Sequence, residues 1–138
     1  MLALLAQLDP SPRDVDANAA RVVRALRERP EADLAVFPEL FLGGYTLARL
    51  DELALATTSA PLLEIAHAAA AMRTAVVVGF AERVDGAVAN AVACFGADGR
   101  LEGVYRKTHL FGAEAEAFTP GAEPVSYTHL TLPTILRV

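Results

Sequence analysis

The sequence contains a single cysteine, Cys94, and few basic residues, and no apolar run approaches membrane-spanning length. One cysteine excludes an intramolecular disulfide and a cysteine-based metal site. Lys and Arg total 12 against 17 Asp and Glu, for a net charge of −5. No basic stripe interrupts that excess, which argues against nucleic acid and against an anionic membrane surface as partners. Apolar runs such as Thr74 to Ala81 fall far short of the roughly 20 residues needed to cross a bilayer. Met1 to Leu8 is apolar but has no positive flank and is ended by Asp9-Pro10. It is too short for a signal peptide and reads as a first strand. The histidines, at 67, 109 and 129, are scattered without metal-ligand spacing. No glycine-rich phosphate cradle is present. The expectation is a soluble cytoplasmic protein that uses no cofactor and no metal.

What is present is apolar and periodic. The 138 residues are 54% hydrophobic, enough for the core of one domain. Leu2 to Leu8 predicts a strand. Asp14 or Asp16 caps a helix whose apolar face is Val15, Ala19, Val22, Val23 and Leu26, and Pro30 stops it. Asp33 to Phe37 predicts a buried strand, followed by a loop holding Pro38, Gly43 and Gly44. A short helix is expected over 47–55. Ser59 is placed to cap the next helix, with Pro61 in its first turn and Leu62, Leu63, Ile65, Ala66 and Ala69 as its apolar face. Val76 to Ala81 is a further strand. Asp85-Gly86 is a two-residue hairpin signal. In the return strand, Val88 to Phe95, the residues Val88, Asn90, Val92 and Cys94 share one face. Asp98-Gly99 makes a second turn into a strand over Leu101 to Tyr105. The order β-α-β-α-β-β-β predicts an α/β fold with helices covering a sheet.

Two segments carry chemistry. Leu34 to Phe37 runs into Pro38-Glu39, and the strand over Leu101 to Tyr105 delivers Arg106-Lys107. Each puts an ionisable group where an apolar strand meets a loop. A buried carboxylate there is costly unless it has a partner or a task. Pro38 restrains the backbone beside Glu39, and Gly43-Gly44 lets the following loop turn tightly. A desolvated lysine near such a carboxylate can face a developing oxyanion. Each half also has a plain reading: a solvated acid at a strand end, and a solvated basic turn. Tyr45 could line a pocket mouth or simply pack. His67 and His109 read as structural, and Cys94 as a small buried core residue.

Together the segments resemble the nitrilase or carbon–nitrogen hydrolase superfamily. Phe37-Pro38-Glu39 is similar to its first motif. Tyr105-Arg106-Lys107-Thr108-His109-Leu110-Phe111, followed by Phe118-Thr119-Pro120-Gly121, is similar to its second. Gln7-Leu8-Asp9-Pro10, Asp14 and Asn18 fit in order, so the resemblance covers residues 1 to about 124. It implies a four-layer α-β-β-α sandwich, of which this chain holds part. It also implies hydrolysis of non-peptide carbon–nitrogen bonds by a Glu–Lys–Cys triad, with a small-molecule amide or nitrile as substrate and a homo-oligomer as the full-length parent. Glu39 would be the general base and Lys107 the oxyanion donor. Glu114 would be a further, assisting glutamate, with Glu116 as its rival. An aliphatic amidase-like enzyme is the main expectation. A nitrilase, an N-carbamoyl hydrolase or a glutaminase domain remain open, as does a non-catalytic binding protein on the same fold.

The sequence departs from that pattern in having no cysteine after Lys107. Composition also changes near the end. From Val125 the chain reads Val-Ser-Tyr-Thr-His-Leu-Thr-Leu-Pro-Thr, without Ala, Gly or acidic residues. That string matches one translated frame of the DNA adapter used in transposon-based sequencing libraries. A Thr-rich strand would have similar composition, but the residue-by-residue match favours adapter. The expected division is therefore 1–124 as the N-terminal part of a carbon–nitrogen hydrolase domain and 125–138 as a non-native tail.

Overall fold

A computed structural model describes residues 1–122. The expected tail, 125–138, lies outside the described residues. The element order is β1 (Ala3–Leu5), α1 (Val15–Glu28), β2 (Leu34–Val36), α2 (Ala60–Met72), β3 (Ala75–Val84), β4 (Ala87–Phe95), β5 (Leu101–Arg106) and a single turn α3 (Glu114–Ala117). The sheet runs β1-β2-β3-β4-β5. β1, β2 and β3 are parallel, joined through α1 and α2, and β3, β4 and β5 are antiparallel hairpins. This is the expected α/β order. No helix among the described residues is long and apolar enough to cross a membrane.

Local chemistry explains most boundaries. Asp14 caps α1, its side chain accepting from the Ala17 N–H at 3.0 Å. Ala19, Val22, Val23 and Leu26 are buried, as their spacing predicts, and Pro30 follows the end of the helix. Burying each Val or Leu contributes about 1.5–3 kcal/mol. Asp85 and Gly86 both have positive φ, +49° and +79°, as a tight primed turn between β3 and β4 requires.

Four details differ from the sequence reading. The ladder of β1 is only Ala3–Leu5, because Gln7 and Leu8 donate back to Leu5 and Ala6 and turn the chain away. The helix expected over 47–55 is one 3₁₀ turn, Leu50–Glu52, after which Leu55 bonds into β3 at Ala81 and Arg83. Ser59 holds the N-cap position of α2, but its side chain makes no cap bond. Leu63 faces solvent, and Ala68, outside the expected apolar face, is buried.

The sheet has two unlike faces. Val76, Val78, Phe80, Ala91, Ala93 and Phe95 pack beneath α1 and α2 with Leu26, Leu62 and Ile65. The registers Val76↔Phe95, Val78↔Ala93 and Phe80↔Ala91 put them on one side. Val77, Gly79, Val92, Cys94 and Tyr105 alternate to the other side, where Leu5 is 68% exposed and Val36, Val77, Val92 and Tyr105 are half-buried. Cys94, buried as expected, belongs to this second side.

One end of the second side is covered by the loop after β2. Its backbone lies directly on Gly79: a Cβ there would sit 2.5 Å from both Leu40 N and Pro38 O and 2.8 Å from Glu39 Cα. Leu42 donates to the Gly79 carbonyl at 3.1 Å, and Gly44 closes the turn on Leu40 O at 2.8 Å. The buried Asn18 on α1 secures the far side, donating to Leu42 O at 2.9 Å. Gly79→Ala must therefore displace this loop, at a cost of about 1–3 kcal/mol or more. Gly86→Ala meets no atom within 4 Å and should cost only its positive-φ strain, about 1 kcal/mol. Urea unfolding of both variants checks the order; an equal or smaller loss for Gly79→Ala would contradict the seating.

Candidate active site

The seated loop presents Glu39 over the sheet beside the end of β5. Alternation along β5 sends Arg106 and Lys107 to opposite sides. Arg106 stays on the helix-covered side, where its Nε and a terminal nitrogen bond the two oxygens of the buried Glu82 at 2.5 and 2.8 Å. Lys107 is thereby aimed at Glu39. Its backbone is held on both sides, its N–H donating to Asn90 O at 2.8 Å and its carbonyl accepting from Gly121 at 2.9 Å. Gly121 is pressed against Arg106, where a Cβ would meet the carbonyl oxygen at 2.4 Å. The Phe118-Thr119-Pro120-Gly121 segment thus acts as a brace behind the lysine.

The Lys107 ammonium lies between two carboxylates. Nζ is 2.8 Å from Glu39 Oε1 and 2.9 Å from Glu114 Oε2. Both neighbours, Glu39 first, push its pKa well above the ordinary ammonium range. Lys107 is a fixed cation here, not a proton donor near neutral pH. Glu114 begins α3, and its side chain is 1% exposed. It accepts from the Phe111 N–H at 2.9 Å, the Tyr45 hydroxyl at 3.0 Å and Lys107. The Phe111 bond leads in holding its carboxyl below the usual range, against the opposing effect of burial. Its negative charge in turn raises the Tyr45 hydroxyl pKa, chiefly through their hydrogen bond.

Glu39, Lys107 and Glu114 are therefore brought together from three separated parts of the chain. Glu116 is exposed and lies outside the cluster. Glu39 differs from the expected buried carboxylate: its side chain is 47% exposed. Tyr45 joins the cluster through its hydroxyl while its residue remains 60% exposed. His67 and His109 both face solvent, and His109 Nδ1 contacts the Thr108 hydroxyl at 3.0 Å.

Asn90 was not singled out for chemistry, although it sits at the centre of the cluster. Its Nδ2 is 2.7 Å from Glu39 Oε1 and 3.4 Å from Glu114 Oε1. Carboxylates only accept, so the amide must turn its nitrogen toward them. The available sequence signal was the alternating face of β4, which also carries Val92 and Cys94 and suggested packing rather than polarity.

The two carboxylates are unequal. Both oxygens of Glu114 are engaged. In Glu39, Asn90 and Lys107 both hold Oε1, and Oε2 has no hydrogen-bond partner among the described residues. The cluster thus offers one anchored, accessible carboxylate with a free oxygen, next to a fixed positive charge. Such an arrangement can accept a proton and stabilise an adjacent anion.

Residues 2–134 match the carbon-nitrogen hydrolase family. The chain is 43% identical over 115 residues to a protein from Pseudomonas protegens named "Hydrolase in pqqF 5'region", covering 81% of this chain and 40% of that protein. It is 35% identical over 122 residues to an (R)-stereoselective amidase from Pseudomonas sp, covering 85% of this chain and 43% of the relative. It therefore spans about two fifths of the length of each. Among solved structures it resembles XC1258 of Xanthomonas campestris, a CN-hydrolase superfamily protein with an arsenic adduct in its active site. That match has 27% identity and a TM-score of 0.78, over 88% of this chain and 46% of the other. With the family match spanning nearly the whole sequence and the fold shared, the chain belongs to the carbon–nitrogen hydrolase family.

Proposed function

We propose that this chain is the N-terminal part of an amidase-like hydrolase that cleaves a non-peptide carbon–nitrogen bond in a small amide through a Glu–Lys–Cys triad. The observation that carries the reading is the unequal engagement of the two carboxylates. Glu39, with Oε1 anchored and Oε2 free, is the general base. Glu114, saturated and buried, positions Lys107. The lysine ammonium lies 2.8 Å from Glu39 Oε1 and 2.9 and 3.2 Å from the two oxygens of Glu114, and its fixed positive charge is what would stabilise an oxyanion. The likeness to an amidase favours amides over nitriles, N-carbamoyl compounds or glutamine as first substrates to test.

The cysteine would come from sequence beyond Pro124. Its thiol proton passes to Glu39, and sulfur bonds to the amide carbon while the carbonyl oxygen becomes an anion facing Lys107. Collapse breaks the carbon–nitrogen bond, and the amine leaves with the proton from Glu39. Water then gives a proton to Glu39 and attacks the thioester, releasing the acid and restoring the thiol. In the full-length parent, which we propose is a homo-oligomer, Glu39→Gln should lower kcat by about 10³-fold or more. Lys107→Ala should lower it by about 10²–10³-fold. Steady-state kinetics with short amides checks both, and near-normal turnover in either variant removes that residue from the mechanism.

We also propose that Val125 to Val138 derives from adapter DNA. The family match reaches residue 134, past Pro124, so a genomic read across codon 125 is the direct measurement. It should show ordinary sequence continuing for roughly 120–160 residues, as a larger domain with a second sheet needs, and containing a cysteine. A genomic frame encoding Val125 to Val138 and then stopping would defeat this and favour a non-catalytic binding protein.

Expressed as written, residues 1–138 should be catalytically silent, since Cys94 is buried in β4. The half-covered second side of the sheet, including Leu5 at 68% exposure, should drive association. Size-exclusion chromatography with an amide assay tests both; a monomer with Cys94-dependent hydrolysis would overturn them.

A further inference from the structure

We infer that Asn90 is the positioning residue of this site: a neutral bridge that selects which oxygen of Glu39 does the work and holds the two carboxylates on either side of Lys107. The inference rests on the amidase reading for its kinetic consequences, but its geometric content stands apart from it.

Three contacts converge on this one residue. Its backbone carbonyl takes the Lys107 N–H at 2.8 Å, which sets the height at which the lysine leaves β5. Its side-chain nitrogen donates to Glu39 Oε1 at 2.7 Å. The same nitrogen lies 3.4 Å from Glu114 Oε1. Asn90 is 3% exposed, so its amide has no solvent to turn to and is committed to these acceptors. Only a neutral donor suits the place. An acidic side chain would add a third negative charge around one ammonium, and a basic one would compete with Lys107 for both carboxylates.

The consequence is selective. Glu39 is 47% exposed and lies in a loop, so its carboxylate has room to rotate. Lys107 alone fixes an oxygen at one point. Asn90 adds a second point on the same Oε1, and two points set the plane of the group. Oε2 is then directed away from the bridge and left to accept a proton. Without the bridge, Glu39 can turn to offer either oxygen, or both, to Lys107, which would occupy the base on its own cation.

The test uses the full-length enzyme with Asn90→Asp, Asn90→Leu and Asn90→Ser, beside the parent. Asn90→Asp keeps the shape and replaces the donor by a charge. We expect kcat to fall about 10²-fold, the scale of a misplaced catalytic group, with KM changed little. For Asn90→Asp the acid limb of the kcat–pH profile should move to higher pH. The charges facing residue 90 are Glu39, Glu114 and Lys107, with the Tyr45 hydroxyl, and a further carboxylate among them favours protonation. Asn90→Leu and Asn90→Ser should lower kcat without adding charge. A crystal structure of either should show Glu39 rotated, with its 2.8 Å contact to Lys107 rearranged. Folded variants that retain kcat, the pH profile and the Glu39 orientation would overturn the inference. So would loss of cooperative melting in all three, which would make Asn90 a residue of the fold alone. If the parent hydrolyses no amide, the amidase reading fails, and the crystal structures still decide the role of Asn90.

Discussion

The Lys107 ammonium between Glu39 and Glu114 is the interaction to which the rest of this end of the molecule is fitted. A carboxylate as buried as Glu114 is costly unless donors surround it. Here they come from Lys107, the Phe111 backbone and Tyr45. Each supplier is constrained in turn. The Phe111 N–H reaches Glu114 because Gly112, at φ +55°, turns the chain into α3. Lys107 reaches both acids because β5 ends in a braced backbone. Glu39 reaches Lys107 because Gly79 lets the loop lie on bare sheet. The ion cluster is local, yet its parts depend on contacts along most of the chain.

The Arg106–Lys107 pair shows how a strand sorts two like charges. Side by side in sequence, they resemble a solvated basic turn. The pleat separates them, and each then finds its own acid: Glu82 on the helix side, Glu39 and Glu114 on the other. Glu82 is 3% exposed and paired through both oxygens. That pair resists rotation of the strand end about its axis, because turning Lys107 away would pull Arg106 off a buried carboxylate and leave it unpaired.

Legibility in the sequence followed the kind of signal each element carries. Helix α1 was readable because its apolar residues recur with helical period and its cap is an aspartate. The β3–β4 hairpin was readable because Asp-Gly is a turn with a steric reason. The stretch 47–55 misled because its leucines suit a helix, whereas the chain there is drawn to the edge of β3 by Leu55. Glu39 and Lys107 were visible as charges ending apolar strands. The choice of Glu114 over Glu116 was not, because it depends on which side of a single helical turn meets the lysine. Asn90 was the hardest to see: it carries no charge, and it lies in an alternating strand where polarity is easily taken for packing.

Exposure around the cluster then fixes a direction. Glu114 is closed off at 1%, Lys107 is 29% exposed and Glu39 is 47% exposed. A reactant cannot approach from the Glu114 side, where Tyr45, Phe111 and Asn90 occupy the carboxylate. Among the described residues the open side lies over Glu39 and Lys107, where Glu39 Oε2 has no hydrogen-bond partner. That is also one end of the second side of the sheet, opposite α1 and α2, so the more accessible charges of the cluster adjoin half-covered apolar surface. Desolvating that approach would strengthen the field of Lys107 on an anion formed beside it. A polypeptide laid over the apolar side would therefore also strengthen the field of the charge cluster.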